Sequence, residues 1–208
     1  MKKVLIWCVP LLAIFFSNCT KEPLNHLSDD ESRIYITNYD TSAHFSNYQT
    51  FSIADSVAII ANNQFRRRER TDLDAQIISA VTAVLQQRGY TKVDAHQDPD
   101  LGLTVSRLTN TTTQVVDYTN YGGYYDAYWD PYYWGYPGYD YYFPSYYGVY
   151  QSNETSLAID AIDLKNATQN SQLRDVWSGL IRGSGIFNGS NVSNQINALF
   201  SQSTYFTR

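Results

Sequence analysis

The chain has 208 residues, a formal charge of −5, 19 tyrosines, 4 tryptophans and 2 cysteines. That length suits one domain carrying a tether and an insertion. An acidic chain with no basic stripe argues against nucleic acid as a partner, because phosphate neutralisation supplies most of that affinity.

The chain opens with Lys2 and Lys3, followed by an apolar run of 13 residues from Val4 to Phe16. As a helix that run rises about 20 Å, short of the roughly 30 Å of bilayer hydrocarbon, so it reads as an export signal and not as a span. Ser17 and Cys19 then resemble the lipobox of bacterial lipoproteins, with Asn18 where Gly or Ala is usual. The resemblance implies a diacylglyceryl thioether on Cys19, cleavage before it, and acylation of the new amino terminus. At about 0.8 kcal/mol per buried methylene, three acyl chains hold a protein on a bilayer permanently. Cys8 leaves with the signal and Cys19 carries lipid, so no disulfide, thiolate nucleophile or Cys-based metal site is expected. The expected partner is the lipid bilayer through Cys19. Thr20, where an aspartate would retain the protein, agrees with outer-membrane sorting. The periplasmic or surface face stays open. Residues 1–18 are thus the signal peptide and 19–32 the lipidated cysteine with a polar tether of at most about 40 Å.

The domain proper spans 33–208. Arg33 to Asp40 alternates, with Ile34 and Ile36 on one face and Tyr35 and Thr37 on the other, which predicts a first strand. Phe45, Tyr48, Thr50 and Phe51 follow. This F-x-x-Y-x-T-aromatic spacing soon after a first strand resembles the bacterial lipoprotein family catalogued as domain of unknown function 4136. Arg66, Arg67, Arg68 and Arg70 around Glu69 are the only basic cluster; they read as a solvated loop, with contact to anionic headgroups or phosphorylated glycans as the functional alternative.

Thr71 and Asp74 have capping-box spacing. Leu73, Ile77, Ala80, Val81, Val84 and Leu85 then recur at helical intervals, and Gly89 suits the left-handed position after a helix over 72–88. The Leu85…Gly89-Tyr90 ending also resembles the family. Asp98-Pro99-Asp100 turns into a strand in which Leu101, Leu103 and Val105 share a face. An aspartate before such a strand is again a family likeness.

Residues 118–150 hold 14 tyrosines with Trp129, Trp134 and Phe143, 5 glycines and 3 prolines, and no lysine or arginine. Neither period fits, and the prolines interrupt any regular element. The segment is too aromatic for ordinary disorder, and so long a loop is a candidate for function. Gly- and Tyr-rich inserts at this place are a feature of the family resembled. Aromatic faces stack on sugars and tyrosine hydroxyls bond at low entropic cost, so Tyr124, Tyr128, Trp129, Tyr133, Trp134 and Tyr142 are candidate binding residues. Lipid headgroups are a second possible contact, and folding back over the sheet is the structural alternative.

Residues 155–165 place Leu157, Ile159 and Ala161 on one face and Ala158, Ile162 and Leu164 on the other, which predicts a central strand. A turn over 166–171 leads to a return strand from Leu173 to Arg182. The Asp163…Trp177-x-Gly179 arrangement is the most recognisable family feature. A last helix over 191–202 carries Val192, Ile196, Leu199 and Phe200. No catalytic set emerges: His26, His44 and His96 lack partners in sequence, no nucleophile elbow exists, and Asp160 and Asp163 point to opposite faces of one strand. No metal ligands or cofactor motif appear.

The expected fold is α+β, a single two-layer domain with a mainly antiparallel sheet of about five strands, two main helices on one face, and the long Tyr-rich insertion. The expected function is that of a non-enzymatic, membrane-anchored envelope lipoprotein binding protein or glycan partners. The alternative is an envelope hydrolase whose site assembles only in the fold.

Overall fold

The structure is a computed structural model describing residues 32–62, 64–109, 129–142, 155–183 and 185–208. The leader, Cys19, the tether up to Glu31, and Tyr124 and Tyr128 lie outside these residues. In chain order the strands are β1 (Ile34–Tyr39), β2 (Thr50–Ile53), β3 (Val57–Ala61), β4 (Gln64–Glu69), β5 (Thr91–Lys92), β6 (Leu101–Thr109), β7 (Asp140–Tyr142), β8 (Ser156–Asp163) and β9 (Gln172–Arg182). The helices are α1 (Asp72–Gln87), the single turn α2 (Ala167–Asn170) and α3 (Val192–Ser201).

The class is α+β, built on one open mixed sheet in the order β1-β9-β8-β6-β2-β5. Among the described residues the sheet has nine strands, not about five, and is less antiparallel than expected: β2 and β3 both run parallel to β6, and β7 runs parallel to β9. The strands missed in the sequence have physical reasons for being hard to see. β5 and β7 have 2 and 3 residues, too few for a period. β3 has no alternation, and β4 (QFRRRE) is polar on both faces. The arginine cluster is therefore not a loop: Arg66 to Glu69 form the outer strand of a hairpin with β3. The expected turn after β8 contains one helical turn, α2.

The alternation of β8 sorts the core. Leu157, Ile159 and Ala161 join Leu101, Leu103, Val105 and Trp177 beneath α1 and α3. Ala158 and Ile162 face the opposite side with Leu108, Leu173, Trp129 and Trp134. That second side is covered by the described part of the aromatic insertion, so the domain has a third layer in place of the expected two. The register slips one residue between Ala161 and Ile162 of β8. This bulge at Val176 lets Trp177 face the helices while Leu173, at even separation along the same strand, faces the insertion.

Helix α1 begins as its sequence predicts. Thr71 accepts from the Asp74 backbone N–H, and Asp74 accepts from the Thr71 N–H at 2.8 Å, closing a reciprocal capping box. Asp74 is fully buried because it also meets Arg107 of β6 (3.2 Å), which fixes the helix start to the sheet. Gly89 ends the helix at φ +95. The Arg88 guanidinium then reaches the carbonyl oxygens of Phe200, Ser203 and Phe206 at 2.5, 2.6 and 2.7 Å. One forked cation thus serves the carbonyl end of α3, where the helix dipole favours it. Burial lowers its pKa below the usual arginine value.

Trp177 and Gly179 have a shared explanation. Two residues apart on β9, they occupy the same face. The indole is stacked on Phe200 (4.7 Å) and donates to Ser203 Oγ (2.8 Å), and it lies across Gly179. A Cβ there would sit 2.5 Å from the ring and 2.8 Å from Leu199. The glycine is required for room, not for conformational freedom.

Candidate functional site

Topology brings together what the sequence separates. β1 and β8 both run antiparallel to β9, so their carboxyl ends converge on its beginning: Tyr39 pairs with Trp177 and Asp163 with Arg174. Asp40, Asp163 and Arg174 therefore meet at one end of the sheet. The segment after β1, α2 and its preceding turn close a cleft of about 500 Å³ there, within the 300–1,000 Å³ range of small-ligand sites. Its lining includes Ser42, His44, Tyr48, Lys165, Asn166 and Asn170.

The carboxylates and cations of this cleft each have a partner. Arg174 pairs with Asp40 (2.5 Å) and donates to Ser42 Oγ (3.0 Å). Ser42 in turn donates to Asp40 through both its backbone N–H and its hydroxyl. Asp163 accepts from the backbone N–H and side-chain amide of Asn166 (3.0 and 2.7 Å) and from the Tyr48 hydroxyl. Burial, reinforced by the Asp163 carboxylate, raises the Tyr48 pKa well above its ordinary value. Lys165 donates to the Asn47 carbonyl (2.6 Å) and pairs with Asp100 (3.5 Å). Asp100 also accepts from the Gln49 and Thr50 backbone N–H groups, which explains an aspartate placed just before β6.

This arrangement is poor in catalytic options. Ser42 is committed to Asp40 and Arg174, and its only nearby imidazole, His44, is exposed with no side-chain hydrogen bond among the described residues. Asp160 and Asp163 lie on opposite faces of β8, as their spacing requires. No group of three or more His, Cys, Asp or Glu side chains able to hold a metal ion occurs among the described residues. Among them, too, no helix is long and apolar enough to cross a membrane.

The aromatic candidates divide into two sets. Trp129 is fully buried and meets Tyr141 edge-on at 5.4 Å. Trp134 is 5% exposed and lies over Gly102 of β6, whose Cβ would come within 3.1 Å of the indole. Tyr133 is half-buried beside Trp134, and burial raises its pKa. These three hold the segment on the sheet, helped by an ion pair between Asp130 and Arg68 (3.1 Å). Tyr142 differs: it is 39% exposed, and its ring carries the Arg174 guanidinium at 4.6 Å. β7 thus places one candidate aromatic against Arg174, outside the cleft lining but in contact with one of its residues. Tyr132, which the sequence did not single out, is 77% exposed.

Asp40, Ser42, Asn166, Asn170, Lys165 and Arg174 were also missed. The available signal was the run of Asp, Ser and Asn just after two predicted strands, but its meaning depends on both strands flanking β9.

The model of the family described as "Domain of unknown function (DUF4136)" matches residues 36–203. The chain belongs to the DUF4136 family. A DUF4136 family protein from Bacteroides thetaiotaomicron, known from its crystal structure, is 27% identical with a TM-score of 0.64, over 86% of this chain and 99% of that one. PelC from Paraburkholderia phytofirmans, solved as a dodecamer, is 14% identical with a TM-score of 0.41, over 85% of this chain and 98% of that one. No curated protein matches the chain. In this DUF4136 domain the residues that first suggested the family have structural work: Phe45 packs on Phe206 (4.6 Å), Tyr48 holds Asp163, and Gly179 admits Trp177.

Proposed function

We propose that this DUF4136 protein is a non-enzymatic binding module of the bacterial envelope, held on the outer membrane by acyl chains on Cys19. Its contact surface is the cleft at the start of β9 together with the Tyr142 rim. The observation that carries the reading is the cleft itself: a concave, polar site whose carboxylates and cations are each already engaged in an ion pair or in hydrogen bonds. Catalysis needs a group held ready to attack or to take a proton, whereas recognition needs a preorganised, hydrogen-bonding surface. The exposed Tyr142 ring beside it is the kind of rigid aromatic contact that binding sites favour.

The test compares envelope material retained by the intact lipoprotein and by Tyr142→Ala, after labelling cells with a palmitate analogue. Label on the intact protein but not on Cys19→Ser, with a retained component lost in Tyr142→Ala, supports the reading. Deleting the whole aromatic segment is a weaker test, because Trp129 and Trp134 belong to the core. Turnover of ester or glycoside substrates by the intact protein, abolished by Asp163→Asn, favours the hydrolase alternative.

A further inference from the structure

The cleft carries information about the charge of its ligand. A carboxylate or phosphate approaching Arg174 finds its Nη2 already held by Asp40 and Ser42 Oγ, and meets the Asp40 and Asp163 carboxylates in the same lining. A cation seeking Asp163 would have to displace Tyr48 and both Asn166 donors from a carboxylate that is 5% exposed. Two carboxylates, Asp40 and Asp163, stand in the lining beside two cations, Lys165 and Arg174, so the cleft favours a ligand of neither sign. The side chains left uncommitted are of another kind. The Asn170 and Asn47 amides and the His44 imidazole line the cleft, are exposed, and make no hydrogen bond among the described residues. Amide groups offer donor and acceptor together, which matches hydroxyl groups that also do both. Tyr142 is not a lining residue, but its ring packs on Arg174 beside the cleft and is 39% exposed, which leaves ring surface for the C–H face of a sugar that extends past the cleft.

We infer that the cleft takes an uncharged sugar unit of a glycan, hydrogen-bonded by Asn170, Asn47 and His44 and stacked on Tyr142. This rests on the binding-module reading above and narrows its ligand class. A wholly apolar ligand would leave the amides unpaired, and a charged one meets charges of its own sign in the lining.

The experiment is calorimetric titration of the full-length lipoprotein in detergent micelles with neutral trisaccharides of glucose, mannose, galactose and N-acetylglucosamine, and with a galacturonic acid trisaccharide. Asn170→Ala and Tyr142→Ala are the variants, both at exposed positions, with unchanged melting as the check that they fold. The expected result is binding of at least one neutral trisaccharide, weakened at least tenfold in each variant. Absence of binding by every neutral sugar, binding unaltered by Asn170→Ala, or binding of the uronate alone each overturns the inference. A protein partner that is captured through the same cleft, and lost in the same variants, overturns the sugar and leaves the binding module standing.

Discussion

Replacing Gly179 with alanine tests the packing of β9 against α3 more sharply than any truncation. Two effects oppose each other. Alanine in place of glycine within a strand restricts the unfolded chain and stabilises by about 0.5–1 kcal/mol where the native conformation allows it. The new methyl, however, would lie 2.5 Å from the Trp177 ring and 2.8 Å from Leu199. Neither neighbour has room to retreat: the indole is stacked on Phe200 and bonded to Ser203, and Leu199 is fully buried. Overpacking a fixed site costs roughly 1–3 kcal/mol, and here two neighbours must shift at once, so the upper end applies. The net expectation is a loss of about 2 kcal/mol, or about 4–8 °C in Tm for a domain of this size. Urea unfolding followed by tryptophan fluorescence measures it. In the double-mutant cycle, Trp177→Phe trims the ring and relieves the clash, so Gly179→Ala should cost at least about 1 kcal/mol less in that background. Equal costs in the two backgrounds, or a Gly179→Ala protein as stable as the parent, would refute the reasoning.

The helix assignment makes a ranked prediction: Val81→Lys, at a fully buried position, should destabilise severely, whereas Gln86→Lys, exposed in the last turn where the helix dipole tolerates a cation, should stay within about 0.5 kcal/mol; equal melting shifts contradict it. Arg88→Met removes a cation serving three carbonyl oxygens and should cost about 3 kcal/mol in chemical denaturation, with Arg88→Lys recovering only part because a point charge cannot span the fork. Alkali should unfold the protein. Burial raises the Tyr48 and Tyr90 pKa values, so their contribution is intact below the unfolded value of about 10 and is lost as pH climbs toward the folded one, at about 1.4 kcal/mol per pH unit for each tyrosine. Phenolate absorbance and ellipticity recorded together should show part of the tyrosines titrating only with unfolding; complete titration of a still-folded protein would contradict this.

What could be read from the chain without coordinates was whatever depends on local period or local capping. Helix α1, with Thr71, Asp74 and Gly89, and the two-faced strand β8 are of that kind, and both appear where expected. Residues whose structure is decided by pairing were illegible. The arginines of β4 look like a solvated run because nothing in QFRRRE reveals that β3 lies beside it. The cleft was hidden for the same reason, since Asp40 and Arg174 are 134 residues apart and meet only because β1 and β9 pair. The aromatic insertion was visible as an anomaly, but composition does not separate a tryptophan that binds from one that packs. Trp129 and Tyr142 lie in one segment, yet one is core and the other surface.

The cleft's role as the contact surface is tested most directly by photo-crosslinking in living cells. A benzophenone amino acid at position 170, inside the cleft, is compared with the same group at position 86, on the exposed side of α1. The account predicts an adduct from position 170 that is absent from position 86 and that disappears when Tyr142 is changed to alanine. Identical adducts from both positions, or none from position 170, would contradict it.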